Sequence, residues 1–310
     1  METKNETNPG SASSKGKIEK EIKKINVLVS GLTGSMGTLL AKSVVKQPDM
    51  KLARMAFTGE GMTLKVGNTM EFGGKEVVLI EPKVRKEALE KYISEEGRHP
   101  IIADFVAPPI KGQPSPAVGN AEFYCSLNAS FVMGSTTSNE DVEKIKKTVV
   151  QSGNTAVYAP NMAIPIVIFQ DMMQYAANKY PGALKGYLPN LIESHQAAKK
   201  DTSGTMKAVI KDLQKLGVGV SEDDIFMVRD PKEQEEDFGI SKEFLGGHAY
   251  HWYHLTSQDQ TAKLSFSHCI DGRDVYVQGA LAAIRFLDKK IQEGVRSKIY
   301  SMIDVISDAQ

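Results

Sequence analysis

One short stretch of the sequence combines residue types that could pass a proton to a small anion. His195 and Lys199 are four residues apart, and Ser203, Gly204 and Thr205 follow shortly after them. An apolar run before His195 predicts a strand, and apolar residues at helical spacing after Thr205 predict a helix that begins here. A helix N-terminus offers free N–H groups and partial positive charge, which suit a carboxylate or phosphate. The stretch therefore predicts a proton-handling site for an acidic small molecule.

The same stretch has a plainer interpretation. A surface loop that leads into a capped helix can carry a histidine and a lysine at this spacing without any chemical role. Asp201, Thr202 or Ser203 would each cap the helix through a side-chain oxygen. The spacing alone leaves both interpretations open, because a short motif is only a hypothesis until its structural context is known.

A second candidate site lies near the start of the chain. An apolar strand candidate at 25–30 runs into Gly31-Leu32-Thr33-Gly34-Ser35-Met36-Gly37, and a helical pattern follows. In this context a glycine loop can bind the pyrophosphate of a dinucleotide, since the three glycines allow a tight turn, close backbone approach and close helix–strand packing. The spacing is G-x-x-G-x-x-G instead of G-x-G-x-x-G. An ordinary strand–helix turn is the alternative.

The elements that must position these residues alternate between strand and helix up to about residue 161. The predicted strands span 25–30, 52–57, 77–80, 101–106, 131–133 and 156–158, and helices are predicted at 84–95 and 139–151. This alternation predicts a Rossmann-type, doubly wound parallel sheet whose ligand lies past the carboxyl ends of the strands. Two loops that follow predicted strands, Gly134-Ser135-Thr136 and Ala159-Pro160-Asn161-Met162, should therefore lie beside the glycine loop.

Beyond residue 161 the pattern predicts a second, α+β part with a mixed sheet and helices on one face. Strand candidates occur at 225–229, 249–255, 262–270 and 275–277, and Asp271-Gly272 predicts a hairpin turn before the last of them. We expect a helix at 279–291 and a last apolar segment at 299–306 to return to the first sheet. The prolines between residues 107 and 118 predict a loop at the end of the strand at 101–106.

Composition limits the class of protein. The chain has 310 residues, with 38 basic and 38 acidic side chains, which predicts two domains or one large one and gives no indication of nucleic-acid or membrane binding. Two cysteines argue against a disulfide framework and for a reducing compartment. No apolar run approaches the roughly 20 residues of a membrane span.

Three histidines at regular spacing suggest a metal site, which the rest of the sequence does not favour. His248, His251 and His254 are three apart, but in a strand His251 would face away from the other two. No cysteine or carboxylate is near at ligand spacing, so we predict no metal site.

Residues 1–24 are polar and predict a disordered tail, without the features of a transit peptide or a secretory signal.

With both sites placed, the chain resembles the dihydrodipicolinate reductase (4-hydroxy-tetrahydrodipicolinate reductase) family from about residue 25 to near its end. The most specific part runs from Glu193-Ser194-His195-Gln196 to Ser203-Gly204-Thr205, where the bacterial pattern is E-A-H-H-R-H-K-x-D-x-P-S-G-T. Gln196 and Ala198 replace two histidines, the proline is absent, and the loop is one residue shorter. Plant-type members share these departures, and residues 247–257 are also similar to that branch.

The resemblance implies roles for individual residues. His195 would be the proton donor or acceptor and Lys199 a proton donor. Gln196, Ser203, Gly204 and Thr205 would bind the substrate, with one of its carboxylates at the helix start. The implied cofactor-binding residues are Gly31, Leu32, Thr33, Gly34, Ser35, Met36, Gly37, Gly134, Ser135, Thr136, Ala159, Pro160, Asn161 and Met162.

The resemblance also implies an activity and an organisation. The reaction would be the NADPH- or NADH-dependent reduction of 4-hydroxy-tetrahydrodipicolinate, a cyclic dicarboxylate, to tetrahydrodipicolinate in diaminopimelate and lysine biosynthesis. We predict a dinucleotide-binding domain at 25–161, completed by 278–310, and a substrate-binding and oligomerisation domain at 162–277. A homo-oligomer, dimer or tetramer, in the plastid stroma or cytoplasm would follow. The alternatives are a reductase of another cyclic imine or enamine, and a non-catalytic, reductase-like assembly factor.

Overall fold

Two β-sheets share the strands of the chain. The structure is a computed structural model that describes residues 24–107 and 113–308, so the predicted tail, apart from Lys24, lies outside the described residues. The strands are β1 (Ile25–Ser30), β2 (Met50–Leu52), β3 (Met55–Phe57), β4 (Thr69–Phe72), β5 (Lys75–Ile80), β6 (Ile101–Asp104), β7 (Phe131–Met133), β8 (Thr155–Tyr158), β9 (Leu188–His195), β10 (Ile225–Val228), β11 (His248–Thr256), β12 (Lys263–Asp271) and β13 (Lys298–Tyr300). The helices are α1 (Ser35–Val44), α2 (Thr63–Val66), α3 (Arg85–Glu96), α4 (Pro116–Ser126), α5 (Asn139–Gln151), α6 (Ile164–Lys179), α7 (Gly204–Lys215), α8 (Pro231–Glu236), α9 (Asp274–Gln292) and α10 (Met302–Ser307).

The first sheet has the predicted doubly wound topology. Its strands run in the order β13-β8-β7-β6-β1-β3-β5-β4, and β2 also pairs with β1. The pairs are parallel except for β4 and β5, which are antiparallel. From β1 the chain proceeds outward to β3 and β5, and then crosses to β6 on the other side of β1. Such a reversal opens a crevice at the carboxyl ends of the two strands, which is where an open α/β sheet binds its ligand.

Helices cover both faces of this sheet because its central strands are apolar on both sides. Val27 and Val29 of β1 pack with α1 and α9 in one cluster, while Leu28 between them packs with α3, α4 and α5 in the other. All three side chains are fully buried. The two clusters fix β1 rigidly, and with β1 the position at which the glycine loop begins.

The second sheet is mixed, as predicted, with the strand order β10-β9-β11-β12. β9 is parallel to β10 and antiparallel to β11, and β11 is antiparallel to β12. One face packs on α6 and α7 through Leu191, Tyr253 and Leu255. The register places Ile192 and Trp252 on the other face, where they are only partly buried.

Two predictions about the elements are wrong. Residues 275–277 are not a strand, because α9 begins at Asp274 and the positive φ of Gly272 turns the chain into this helix instead of into a hairpin. The β-branched and aromatic triplet suggested a strand, but the buried residues of α9 follow a helical period. The prolines near residue 116 do not make only a loop, since Pro116 opens α4. Residues 108–112 lie outside the described part.

The end of the chain returns to the first sheet, as expected. α9 packs against α1 and the first sheet, and β13 pairs with β8 at the sheet edge. Gly279 of α9 touches the loop after β8 so closely that a Cβ atom would lie 1.8 Å from the carbonyl oxygen of Met162. None of the helices in the described ranges has the length and apolar character needed to cross a bilayer. The exact domain boundaries given above stay predictions.

Candidate active site

The stretch from residue 193 to residue 205 joins strand β9 to helix α7, as predicted. β9 ends at His195, and α7 begins at Gly204. Ser203 is the cap among the three candidates, since its hydroxyl accepts a hydrogen bond from the Met206 N–H at 3.1 Å. Gly204 and Thr205 are the first two residues of α7, and their N–H groups therefore lack partners within the helix. This end of α7 is suited to a carboxylate.

Glu193 is a buried residue whose side chain anchors this stretch. Its side chain is fully buried, with one oxygen 2.9 Å from the Ser203 N–H and the other 2.5 Å from the Arg229 guanidinium. Arg229 also donates to the Lys199 carbonyl at 2.7 Å, so it ties the loop to the strand. Burial alone would raise the pKa of Glu193, but hydrogen bonds from His251 and Ser203 outweigh it and hold the pKa well below its usual range. The carboxylate is therefore ionised.

His195 has both ring nitrogens engaged by the protein. Its Nδ1 lies 3.2 Å from the carbonyl oxygen of His248, and its Nε2 lies 3.1 Å from Nε2 of His251. Burial, assisted by the neighbouring His251, lowers the pKa of His195 to about 3. A carbonyl can only accept, so Nδ1 carries the proton and Nε2 carries the lone pair. The neutral ring is therefore an acceptor toward its neighbour.

His251 extends this arrangement to a third histidine. Its Nδ1 lies 3.0 Å from Nε2 of His268, and its Nε2 lies 3.1 Å from the Ser203 hydroxyl and 3.4 Å from Glu193. The predicted orientation of His251 is confirmed, since it pairs with Glu193 across β9 and β11, whereas His248 bonds to Ser194 instead. Sequence patterns could not reveal this cluster, because the strands that form it are far apart in the chain.

Three side chains of this cluster lie close enough together to coordinate one metal ion. Ligand atoms of Glu193, His195 and His251 all lie within 4.8 Å of one another, so a carboxylate is near in space although not in sequence. The Arg229 guanidinium on one carboxylate oxygen and the Ser203 N–H on the other already satisfy Glu193. A fixed positive charge at 2.5 Å opposes a dication, so the set fits a hydrogen-bonded network better than a metal centre.

Lys199 does not point into the cleft. Its ammonium lies 3.0 Å from the carboxylate of Asp201, whose side chain is 79% exposed. Of the predicted catalytic pair, the described structure places only His195 among the residues that line the clefts, together with its neighbour Gln196. The ammonium must leave Asp201 before it can reach a bound substrate.

Two connected clefts bring the predicted cofactor loops opposite this stretch. A cleft of about 270 Å³ is lined on one side by Met36, Gly134, Ala159, Pro160 and Met162, and on the other by His195, Gln196 and Arg273. A cleft of about 530 Å³ is lined by Thr136, Pro160 and Asn161 on one side and by His195, Ser203, Gly204, Thr205, His251 and His268 on the other. The Asn161 amide also donates to the Thr205 hydroxyl at 3.4 Å. The ends of the two sheets therefore face each other across one space.

The glycine loop lines a further cleft of about 760 Å³ at the carboxyl ends of β1 and β6. Residues 31–36 and 134–136 line it together. Gly31 has a φ of +96°, and a Cβ atom there would lie 2.7 Å from the Phe105 carbonyl oxygen. Gly37 is outside the lining, and a Cβ atom on it would lie 2.8 Å from the Gly31 carbonyl oxygen. The cleft, the glycine cradle and the start of α1 fit a dinucleotide, with Gly37 serving the packing of the loop.

Asp104 is a residue of this region that the sequence analysis did not select. It ends β6, is fully buried, and accepts hydrogen bonds from the Tyr124 hydroxyl at 2.6 Å, the Asn120 amide at 2.8 Å and the Val106 N–H at 3.1 Å. Tyr124 and Asn120 bond to Oδ2, whereas Val106 bonds to Oδ1, which also lies 3.4 Å from the Ser135 hydroxyl. Burial raises the pKa of Asp104 against these donors. The signal in the sequence was one acid at the end of an apolar strand.

Family models match nearly all of the described chain. The model described as dihydrodipicolinate reductase, N-terminus, matches residues 25–162, and the one described as dihydrodipicolinate reductase, C-terminus, matches residues 165–306. The junction between the two matches falls at the start of α6.

Two plant reductases match the chain across both sheets. The chain is 39% identical over 284 residues to 4-hydroxy-tetrahydrodipicolinate reductase 2, chloroplastic, of Arabidopsis thaliana, a match that covers 92% of this chain and 78% of the relative. It is 38% identical over 286 residues to the reductase 1, chloroplastic, of the same plant, with the same coverage. A solved structure, dipicolinate bound dihydrodipicolinate reductase from Paenisporosarcina sp. TG-14, matches with a TM-score of 0.59 and 18% identity over 90% of this chain and 97% of that one. At that identity the structure supports the fold alone.

Proposed function

Because this chain belongs to the dihydrodipicolinate reductase family, we propose that it reduces 4-hydroxy-tetrahydrodipicolinate to tetrahydrodipicolinate with NADPH or NADH. The chain is thus an oxidoreductase of the diaminopimelate and lysine pathway. One observation carries the assignment of the site: the loops at the carboxyl ends of the first sheet and the start of α7 line the same cleft. A dinucleotide and a dicarboxylate bound at these two places would meet beside His195.

Different parts of the site would bind the cofactor and the substrate. The glycine loop and the start of α1 would hold the pyrophosphate, and residues 134–136 and 159–162 would hold the nicotinamide end. When bound, the nicotinamide supplies a hydride, so the protein has to orient the substrate and supply a proton. The free N–H groups of Gly204 and Thr205 would hold one substrate carboxylate, aided by the partial positive charge of the helix start.

Lys199 would donate the proton after a change of partner. Arg229 fixes the Lys199 carbonyl, so the backbone stays in place while the side chain is free to leave the exposed Asp201. A substrate carboxylate in the cleft competes with Asp201 for the ammonium, which would draw the proton toward the reacting carbon. A positioned acid of this kind contributes about 10²–10⁴ to the rate.

The uncovered face of the second sheet supports a homo-oligomer. The register places Leu188 and Phe226 on this face, away from α6 and α7, and these side chains are 58% and 54% exposed. Tyr250 and Trp252 lie partly buried on the same face. Sheets with one apolar face pack on a second layer, and a second copy of this chain would supply it. Light scattering of the wild type and of a Phe226→Asp variant tests this, and a monomeric wild type would contradict it.

The plastid stroma is the compartment that the relatives support, since both Arabidopsis thaliana reductases are named chloroplastic. The predicted alternative was the cytoplasm. A fluorescent fusion of the full-length protein, imaged in plant cells, distinguishes the two compartments.

Oxidation of the cofactor tests the reaction itself. The enzyme is mixed with NADPH or NADH and with freshly generated product of the preceding synthase, and the nicotinamide absorbance is followed. Oxidation that depends on this product supports the proposal, and the faster of the two cofactors identifies the preference. Cofactor binding without turnover would support the assembly-factor alternative, and turnover with other cyclic imines only would support the other one.

A further inference from the structure

The segment from the end of β10 into α8 lies against the strand and loop that carry His195 and Lys199. β10 is parallel to β9, and its last residue, Val228, pairs with Ser194. The chain therefore leaves the second sheet directly beside His195, the last residue of β9. Asp230 then caps α8, because its carboxylate accepts hydrogen bonds from two N–H groups of the first turn at 2.9 and 3.0 Å. This cap fixes where α8 begins, and with it the positions of its side chains.

Gln234 of α8 holds the backbone of His195. Its side chain is fully buried, and its Nε2 donates to the His195 carbonyl at 2.7 Å and to the Val228 carbonyl at 3.1 Å. Both carbonyls can only accept, so together they fix the orientation of the amide. Its Oε1 has no hydrogen-bond partner among the residues that the structure describes. A buried acceptor without a partner is unfavourable, so stability alone does not explain a glutamine at this position.

Arg229 holds the other end of the same loop. Its Nε donates to the Lys199 carbonyl at 2.7 Å, while Nη1 donates to the Glu193 carbonyl at 2.9 Å and Nη2 to the Glu193 carboxylate at 2.5 Å. One planar group therefore reaches both the strand and the loop. The Lys199 N–H donates in turn to the Gln196 carbonyl at 2.9 Å, which closes the loop into a turn. Two side chains of one segment thus hold three main-chain oxygens of the site, at positions 193, 195 and 199.

We propose that Arg229 and Gln234 are positioning residues, which set where the imidazole of His195 and the ammonium of Lys199 lie relative to a bound substrate. Neither is among the described residues that line the two clefts beside His195, so each acts through the residue whose carbonyl it holds. Lys199 has to leave Asp201, and a fixed carbonyl confines that movement to the side chain. A displacement of about 1 Å caused from outside the reacting centre can lower a rate by about 10²-fold. The proposal rests on the proposed reductase function.

A double-mutant cycle tests Arg229. Arg229→Lys keeps a positive charge beside Glu193, but a single ammonium group cannot bond to the Glu193 carboxylate and the Lys199 carbonyl as the planar guanidinium does. We expect kcat to fall about 10- to 100-fold and the KM of the substrate to change less than about twofold. In a Lys199→Ala background the same change should lower kcat less than about twofold, because the residue through which Arg229 acts is gone. A loss in that background as large as in the wild type would overturn the proposal.

Gln234→Met removes the donor and keeps the length of the side chain. We expect kcat to fall about tenfold in the wild type and less than about twofold in a His195→Gln background. Gln214→Met is the matched control, since the Gln214 amide on α7 also donates to a backbone carbonyl, that of Val220 at 2.8 Å, and should keep wild-type kcat. Arg285→Lys, at an arginine that pairs with a carboxylate beside the first sheet, is the control for Arg229→Lys. Wild-type kcat in a folded Gln234→Met variant would overturn the role of Gln234, and if this variant does not fold, the Arg229 cycle decides.

Amide hydrogen exchange, measured by mass spectrometry, provides a test that needs no turnover. Peptides that cover residues 195–203 should exchange about tenfold faster or more in Arg229→Lys and Gln234→Met than in the wild type, and at the wild-type rate in the two control variants. Peptides of β1 and α1 should keep wild-type exchange in all four variants. Unchanged exchange at 195–203 in both test variants would overturn the proposal. If the wild type does not oxidise the cofactor while the exchange rates agree, the reductase assignment fails and the support of the loop by Arg229 and Gln234 stands.

Discussion

Two fully buried carboxylates, one in each sheet, show how the same group can serve different ends. Asp104 ends β6 and is held by neutral donors: a tyrosine hydroxyl, an asparagine amide and a backbone N–H. Glu193 lies on β9 and is held by a guanidinium and a backbone N–H, with an imidazole at 3.4 Å. Burial raises the pKa of Asp104, whereas the partners of Glu193 outweigh burial and lower its pKa.

Hydrogen bonds and neighbouring charge therefore decide whether a buried acid is held neutral or charged. Neutral donors hold Asp104 and so anchor the loops at 105–106 and 135, which makes it a structural support. Arg229 pairs with Glu193, and hydrogen bonds from His251 and Ser203 lower the pKa of this carboxyl so that it is ionised. A charged carboxylate orders the Arg229 side chain, and through it the loop that carries Lys199, in a way that a neutral anchor could not.

The largest effect is expected on the Glu193 side, from the loop that Arg229 and Glu193 support. Lys199→Ala should lower kcat by about 10²–10⁴, because a positioned proton donor is removed. The measurement is steady-state cofactor oxidation. Lys200→Ala, at the exposed neighbouring position, is the matched control and should keep wild-type turnover. Near-wild-type turnover in a folded Lys199→Ala variant would remove Lys199 from the mechanism.

Glu193→Gln should be the most destabilising single change at either carboxylate. It leaves the guanidinium of Arg229, whose side chain is only 17% exposed, without its counter-charge. Removal of one partner from a buried ion pair costs about 3–5 kcal/mol, and Arg229 keeps some contact with solvent, so we expect about 3 kcal/mol. Urea unfolding followed by circular dichroism measures this free energy. A loss below about 1 kcal/mol would mean that the ion pair does not organise the loop.

Asp104→Asn is the matched change in the first sheet and should cost less, about 1–2 kcal/mol. No buried cation is stranded, but one of the donors around residue 104 would face the new amide N–H instead of an oxygen. We expect kcat to stay within about threefold of the wild type, because the residue touches neither ligand site directly. The same unfolding experiment measures the stability. A larger loss than that of Glu193→Gln would contradict the contrast between the two acids.

The pH dependence of stability should have opposite signs at the two carboxylates. The lowered pKa of Glu193 gives stability that is present above its unfolded value of 4.5 and is lost as the pH falls through the folded value. The raised pKa of Asp104 gives stability that is present below 3.8 and is lost as the pH rises through its folded value. From neutral pH to about pH 4, the free-energy difference between the wild type and Glu193→Gln should therefore shrink, while that between the wild type and Asp104→Asn should grow. Parallel curves for the two variants would refute this assignment.

Local patterns predicted what local physics determines. The glycine loop after β1 and the start of α7 were predictable, because strand, turn and cap signals lie within a few residues of each other. The alternation of strands and helices gave the parallel sheet for the same reason. The prediction of a strand at 275–277 was wrong because β-branched residues also occur in a helix when one face is buried, as in α9.

The network behind the site was not predictable because it depends on strand register. His195 and His251 are 56 residues apart, and Glu193 and Arg229 are 36 apart. Their contacts follow only once β9, β10 and β11 are paired, and no spacing rule reveals that pairing. The retracted position of Lys199 was equally hidden, since it depends on a competition between Asp201 and a ligand for one ammonium group.

The last strand of the first sheet, β13, bears on how the chain folds during its synthesis. β13 pairs with β8, although the whole second sheet is translated between them. The ribosome therefore synthesises β13 after some 140 intervening residues (158 to 298), which have had time to fold before this edge strand emerges. Until then β8 presents an unpaired edge, which is a surface prone to aggregation. Nascent chains stalled before residue 298 should accordingly bind chaperones more strongly than full-length chains do.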